Sequence, residues 1–274
     1  MKKYFPPIVM LAIFEAVAVS LWLLKDNIFY LFNFSYIGLS IAAGLFLYIR
    51  KVRFARRVVQ ILVGTYMLVY LGFICGENMQ LEGFWYYLFL GVFEAATIHY
   101  AVAKIAGPLL FGRGWCGYAC WTAMVLDLLP YKHPTGERKK LGFIRYITFA
   151  LSLAFVGALF LLEIKGLGRI MLISFVVGNI LYYAVGIALA FALKDNRAFC
   201  KYICPITVFL KPASYFSLMR VKVDEDKCIS CGKCRKVCPM EVDMTDNLRS
   251  RKNGTECILC MECVDSCPTG ALKF

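Results

Sequence analysis

Six apolar runs constrain this 274-residue chain more than any other feature. They extend over about Phe5 to Leu24, Ile28 to Ile49, Val58 to Cys75, Phe84 to Ile105, Phe143 to Ile164 and Ile170 to Leu193. Each has roughly 18 to 24 residues, and at a helical rise of about 1.5 Å that length crosses a hydrocarbon core of about 30 Å. A soluble protein seldom holds six buried helices this long. Sixty per cent of the residues are hydrophobic, with 22 Phe and 16 Tyr, which also exceeds what a soluble domain carries. The pattern predicts an all-α polytopic membrane domain of six transmembrane helices, ending near residue 220.

The net charge of +13 invites a nucleic-acid reading, and its location removes it. Residues 221 to 274 hold nine basic and nine acidic side chains, so the excess lies in the membrane part, with 22 basic and 9 acidic residues. With the N-terminus in the cytoplasm, loops 50 to 57, 106 to 142 and 194 to 220 share the cytoplasmic face. Only Lys25, Lys165 and Arg169 then lie outside, while Arg50, Lys51, Arg53, Arg56 and Arg57 lie inside, as the positive-inside rule requires. The basic residues are thus topology signals for the cytoplasmic (inner) membrane of a prokaryote, with both termini in the cytoplasm and no nucleic-acid partner. The first run follows Lys2 and Lys3 and contains Ala18-x-Ser20, which also admits a cleaved signal peptide, although its apolar stretch continues to Leu24.

Eight of the 13 cysteines fall in the last 47 residues. They read Cys228-x2-Cys231-x2-Cys234-x3-Cys238-Pro239 and, 18 residues later, Cys257-x2-Cys260-x2-Cys263-x3-Cys267-Pro268. An iron-sulfur cube needs four thiolates converging from different directions; three on one tight loop supply three corners and the fourth comes from elsewhere. In two-cluster ferredoxins the last Cys of each run serves the other run's cluster. That rule assigns Cys228, Cys231, Cys234 and Cys267 to one [4Fe-4S] cluster and Cys257, Cys260, Cys263 and Cys238 to a second. Zinc ribbons use CxxC pairs without a third Cys in step, and the Pro after each run belongs to the ferredoxin pattern rather than to a disulfide framework. A reducing cytoplasm would keep all these thiols available.

Four more cysteines stand in matched settings, Arg113-Gly114-Trp115-Cys116-Gly117-Tyr118-Ala119-Cys120 and Arg197-Ala198-Phe199-Cys200-Lys201-Tyr202-Ile203-Cys204. Both read Arg-x-aromatic-Cys-x-Tyr-x-Cys at an offset of 84 residues, and the preceding runs keep nearly the same offset. Two crossings per unit preserve orientation, which predicts a parallel repeat with a pseudo-twofold axis along the membrane normal. Residues i and i+4 share a helix face, so each half would offer a two-thiol claw. Together Cys116, Cys120, Cys200 and Cys204 would hold a third iron-sulfur cluster or another metal; thiol redox chemistry and simple packing are the alternatives. Arg113 and Arg197 read as positive-inside anchors, or as compensation for cluster charge.

Ionisable groups inside spans are costly and point to function. Glu15 and Glu94 fall about ten residues into their runs, near mid-depth, and His99 lies further toward the cytoplasmic side. They are candidates for a proton path or quinone pocket; helix–helix hydrogen bonding is the alternative. Glu163, near an outer end, reads as structural, and Cys75 as packing. There is no CxxCH for c-type haem, His99 and His133 are poorly placed to ligate a b-type haem, and neither GxGxxG nor a Walker loop is present.

At these motifs, over about residues 58 to 274, the chain resembles the membrane-bound polyferredoxin family. That family includes the membrane subunit of the quinol dehydrogenase of periplasmic nitrate reductase, a regulatory membrane protein of nitrous oxide reduction, and a copper-reducing oxidase-assembly protein. Cys200-x3-Cys204-Pro205 matches the family's CxxxCP mark, whereas Cys120 is followed by Trp121. The expected organisation is a helix pair and basic loop at 1–57, a repeated membrane domain at 58–220, and a small α+β two-cluster ferredoxin domain at 221–274. The expected function is membrane electron transfer between a cytoplasmic donor or acceptor and a quinone or a partner membrane redox subunit. A metal-reducing or cofactor-assembly factor and a redox-sensing regulator are the rival classes; no Met-rich or His-rich outer segment for copper is present.

Overall fold

A computed structural model describes residues 5–135 and 138–274. The chain opens with a helical hairpin, α1 (Phe5–Lys25) and α2 (Ile28–Ile49). Asn27 caps α2, its Oδ1 accepting the Phe29 N–H at 2.9 Å, which supplies a partner for an otherwise orphaned donor. After the basic loop come α3 (Ala55–Thr65) and a π-helical continuation, Tyr66–Ile74. Two more long helices follow later, α9 (Ile144–Leu161) and α10 (Leu167–Leu193), with Gly166 turning between them at φ +76°. These are the five helices long and apolar enough to cross a membrane among the described residues.

The expected fourth span, Phe84 to Ile105, is not one helix. Beyond Cys75 the chain dips inward: Asn78 Nδ2 donates to Met171 O (2.9 Å) and Ser174 Oγ (3.0 Å), and Gln80 abuts Gly178 midway along α10. Helix α4 (Leu81–Phe89) then returns outward along α9, with Trp85 on Phe149 and Phe89 on Phe160. Gly91, at φ +68°, makes the turn that a side chain would strain. Glu94 sits at the N-cap of α5 (Ala95–His99), which continues as a π segment (Tyr100–Ala106) and α6 (Gly107–Phe111). This second, shorter apolar helix, Ala96–Phe111, rather than 84–105, leads toward the basic loops. Lys25 Nζ lies 6.0 Å from the Phe93 ring, so the break is at the end of the bundle where α1 finishes. A hydropathy window runs across this break because both flanks are apolar.

At the opposite end, loops 50–57, 106–142 and 194–220 meet. Asp127 receives Arg56 at 2.9 Å and Arg197 through two bonds of 2.6 Å. Short helices α7 (Gly114–Tyr118), α8 (Trp121–Leu126), α11 (Ala198–Tyr202) and α12 (Thr207–Tyr215) form this end. The C-terminal segment docks on it. That segment is closed by a two-stranded antiparallel sheet, β1 (Lys222–Val223) with β2 (Leu272–Lys273), and carries α13 (Lys233–Lys236) and α14 (Glu262–Asp265).

Candidate functional site

In the C-terminal segment the two thiol sets expected from the spacing each surround one small cavity. Cys228, Cys231, Cys234 and Cys267 line one; Cys238, Cys257, Cys260 and Cys263 line the other. The crossed arrangement follows from β1 pairing with β2, which brings the end of the second run back to the start of the first. Among the described residues no three Cys, His, Asp or Glu side chains are close enough to share a single ion. Burial pushes the free thiols of Cys238, Cys257 and Cys260 up to about 11. They become thiolates on ligation, so cluster assembly releases protons.

The second set is locked onto the membrane domain by Glu256, the residue before Cys257. Glu256 is 1% exposed and pairs with Arg113, with Arg138 (3.1 Å), with Arg145 (3.2 Å) and with Lys211 (3.2 Å). Burial alone would raise its carboxyl, but Arg113, Arg145 and the other cations outweigh it and hold it at about 2. Beside this anchor, Tyr118 donates to Leu259 O at 2.9 Å, and Gly117 lies so close that a Cβ would stand 2.3 Å from Ile258 O. Cys116 shares one apolar core with Cys238 and Cys263.

The CxxxC pairs do not lie on continuous helices as expected. Cys116 is within α7, but Cys120 is extended (φ −78°, ψ 118°) and caps α8; Cys204 likewise lies beyond α11. Trp121 takes the first position of α8, where proline is also well suited, and its indole donates to Asn179 at 2.8 Å. The two halves nevertheless reach across to each other. Arg113 donates to Cys200 O (3.4 Å) and Arg197 to Cys116 O (3.0 Å). Both arginines are fully buried, and they are not surface anchors: Glu256 holds one and Asp127 the other. Asp127 would be raised by burial, but Arg197 and Arg56 bring it well below the usual carboxylate range. Burial lifts the Cys200 thiol to about 11, with repulsion from Cys120 and Cys116 adding to it while Arg197 opposes, which places thiols of both halves in one electrostatic neighbourhood.

Above this centre a cavity of about 580 Å³ opens within the bundle, walled mainly by apolar side chains of α1, α2, α3 and α5 with their continuations. His99 and Trp115 face each other on its wall, ring centroids 5.2 Å apart. His99 is 7% exposed, and its Nε2 has no partner among the described residues. Trp115 is the chain neighbour of Cys116, and the Lys104 ammonium lies 4.8 Å from its ring. Lys104 is 3% exposed and has no ion pair among the described residues. Glu94 lines the cavity but is exposed rather than at mid-depth, near Glu77, which accepts from Tyr87 at 2.7 Å. Glu15 is not on the cavity wall; its carboxylate accepts from Ser35 Oγ at 2.7 Å between α1 and α2. Lys104, Asp127 and Glu256 join the site only through the fold, and Trp115, visible in the sequence as the aromatic of its motif, gains its place on the cavity wall there. Asp127 had a signal: it is the sole acid between Glu94 and Glu137.

A 4Fe-4S dicluster domain matches residues 220–268, and a 4Fe-4S binding domain matches twice, at 98–139 and 177–223. An uncharacterized protein of Methanocaldococcus jannaschii is 28% identical over 82% of this chain and 87% of its own length. YccM of Escherichia coli, named as a candidate electron transport protein, is 32% identical over 35% of this chain and 26% of its own. A ferredoxin of Thermococcus litoralis is 40% identical over 58 residues, which are 20% of this chain and 95% of that protein. No solved structure matches the chain. Two cysteine quartets in this fold, matched along nearly the whole of a ferredoxin, make this an iron-sulfur electron-transfer protein, and through its C-terminal segment the chain belongs to the 4Fe-4S ferredoxins.

Proposed function

We propose that the chain passes single electrons between a cytoplasmic redox partner and a quinone held in the membrane bundle. The observation that carries this reading is the cavity: about 580 Å³, mostly apolar, with a buried unpartnered imidazole nitrogen and a wall residue, Trp115, directly bonded in sequence to Cys116. Such a cavity suits a ring with carbonyl oxygens on an isoprenoid tail. His99 Nε2 is the group to hold a quinone oxygen and exchange a proton with it. Glu94, Glu77 and Tyr87 offer a polar opening toward water.

The residues that would hold iron-sulfur clusters are the two C-terminal quartets and, as a third centre, Cys116, Cys120, Cys200 and Cys204. Bound clusters supply one-electron stations, whose potentials the protein tunes through burial and charge. Glu256, Gly117 and Tyr118 fix the second quartet against Cys116, and Arg113, Arg197 and Lys104 surround the third set with positive charge. The matched motifs, the reciprocal Arg113 and Arg197 contacts and the doubled domain match support a parallel repeat with its twofold at this site. The basic loops and the docked C-terminal segment share one end, which the positive-inside rule assigns to the cytoplasm.

Photolabelling of anaerobic protein with an azidoquinone tests the pocket. Label is expected on cavity residues such as those near His99 and Trp115, displaced by excess quinol and weakened in His99→Ala. Label confined to the outer, lipid-facing surfaces of α9 and α10 would refute the reading.

A further inference from the structure

The C-terminal segment is neutral as a whole, and its docking polarises it. Of the nine acids in residues 221–274, four face the membrane domain: Glu241 receives Lys201 (2.7 Å), Glu256 the Arg113 group, Glu262 Lys132 (2.9 Å), and Asp265 the Tyr48 hydroxyl (3.0 Å). Five acids remain, Asp224, Glu225, Asp226, Asp243 and Asp246, against eight exposed Lys and Arg, of which Arg249 turns back to donate to Tyr215 O (2.7 Å) and Ser217 O (3.1 Å) and seven face outward; Arg251 is the one buried cation. The outer face therefore carries net positive charge.

That charge crowds the cysteine quartet nearest to solvent. Cys231 is exposed, whereas Cys238 and Cys263 of the other quartet are buried toward Cys116. Helix α13 presents Lys233, Arg235 and Lys236, all exposed. The ion pairs on this face are those of Asp224 with Lys227 and Lys273; the three α13 cations have none among the described residues. Ile229, 65% exposed, gives an apolar centre beside Cys231. A small apolar contact inside a charged rim suits brief redox encounters, in which opposite charge speeds association more than it tightens binding.

We infer that this basic crown is the docking surface for a soluble, acidic one-electron carrier protein. One electron crosses the contact, the carrier and this chain change oxidation state by one each, and no bond or proton is transferred. The inference rests on the proposed function in one respect, that electrons are exchanged with a soluble partner at the Cys228 quartet.

The test is stopped-flow reduction of the full-length anaerobic protein by a reduced acidic ferredoxin, across a range of ionic strength. The wild-type second-order rate is expected to fall steeply with salt, and K233E/R235E/K236E to slow it about 10-fold or more at low salt, with the two curves converging at high salt. Photoreduction by neutral deazariboflavin should be equal in both proteins, showing the clusters intact. A salt-independent rate would overturn the inference, as would a variant as fast as wild type or a basic carrier reacting faster than the acidic one. If carrier reduction shows the expected salt dependence and quinone does not reoxidise the chain, the docking surface stands and the quinone reading fails.

Discussion

Replacing Glu256 with Gln removes one charge from a buried site that holds four cations, and its cost follows from two independent routes. Taking one partner from a buried ion pair costs about 3 to 5 kcal/mol, because the remaining charge is left uncompensated. The carboxyl is also held at about 2 against an ordinary value of 4.5; at about 1.4 kcal/mol per unit, that difference is about 3 kcal/mol. Because the folded value is depressed, this contribution is complete above about 4.5 and is lost as pH falls toward about 2. It acts between the second quartet and the membrane domain, so the docked state should weaken by roughly 100-fold at neutral pH. Amide hydrogen exchange in segments 112–120 and 256–262 reads that opening, and it should accelerate by about that factor in Glu256→Gln. Glu262→Gln is the control: Lys132 is 50% exposed, so that pair contributes at most about 1 kcal/mol. Unchanged exchange in Glu256→Gln, or equal acceleration in the two variants, would refute the reasoning.

Gly117→Ala places a methyl against Ile258 O and should shift the C-terminal segment, broadening the EPR signal of the second quartet's cluster while leaving the first unaltered. Lys104→Met removes an uncompensated buried cation from the neighbourhood of Cys116 and should lower the potential of the third centre proposed at the CxxxC cysteines; Lys104→Arg should restore it, and identical potentials in all three proteins would refute the assignment. A cysteine introduced at Gly91, at the break after α4, should react with an impermeant maleimide added from the side opposite the basic loops, whereas continuous burial would leave it unlabelled.

What was legible in the sequence was whatever is local. The two quartets were readable because each loop fixes three thiols by spacing, and the apolar runs because a span must satisfy its own backbone. The break at Gly91 was hidden, since α4 and the helix after it are equally apolar and only Gly91 and Glu94 punctuate them. That break moved Glu94 from the interior to the bundle's end. The cavity was beyond reach because its walls come from helices far apart in sequence. Arg113 and Arg197 were visible as a motif, but their partners, Glu256 and Asp127, are 143 and 70 residues away. Spacing alone also made each CxxxC pair look helical, whereas a cap at Cys120 ends one helix and begins the next.

The proposed electron route runs from the C-terminal quartets through Cys116, Cys120, Cys200 and Cys204 to the cavity. The most direct measurement is the rate at which a short-chain quinone reoxidises the reduced, anaerobic protein, compared between wild type and Cys116→Ser, with iron counted in each. Wild type should hold about 12 irons for a third cubane, or about 10 for a [2Fe-2S] centre, and the variant about 8, since each cubane contributes four. Reoxidation should be rapid in wild type and slowed at least about 100-fold in the variant, whose two C-terminal clusters remain. About eight irons in both proteins, with equal reoxidation rates, would contradict this route.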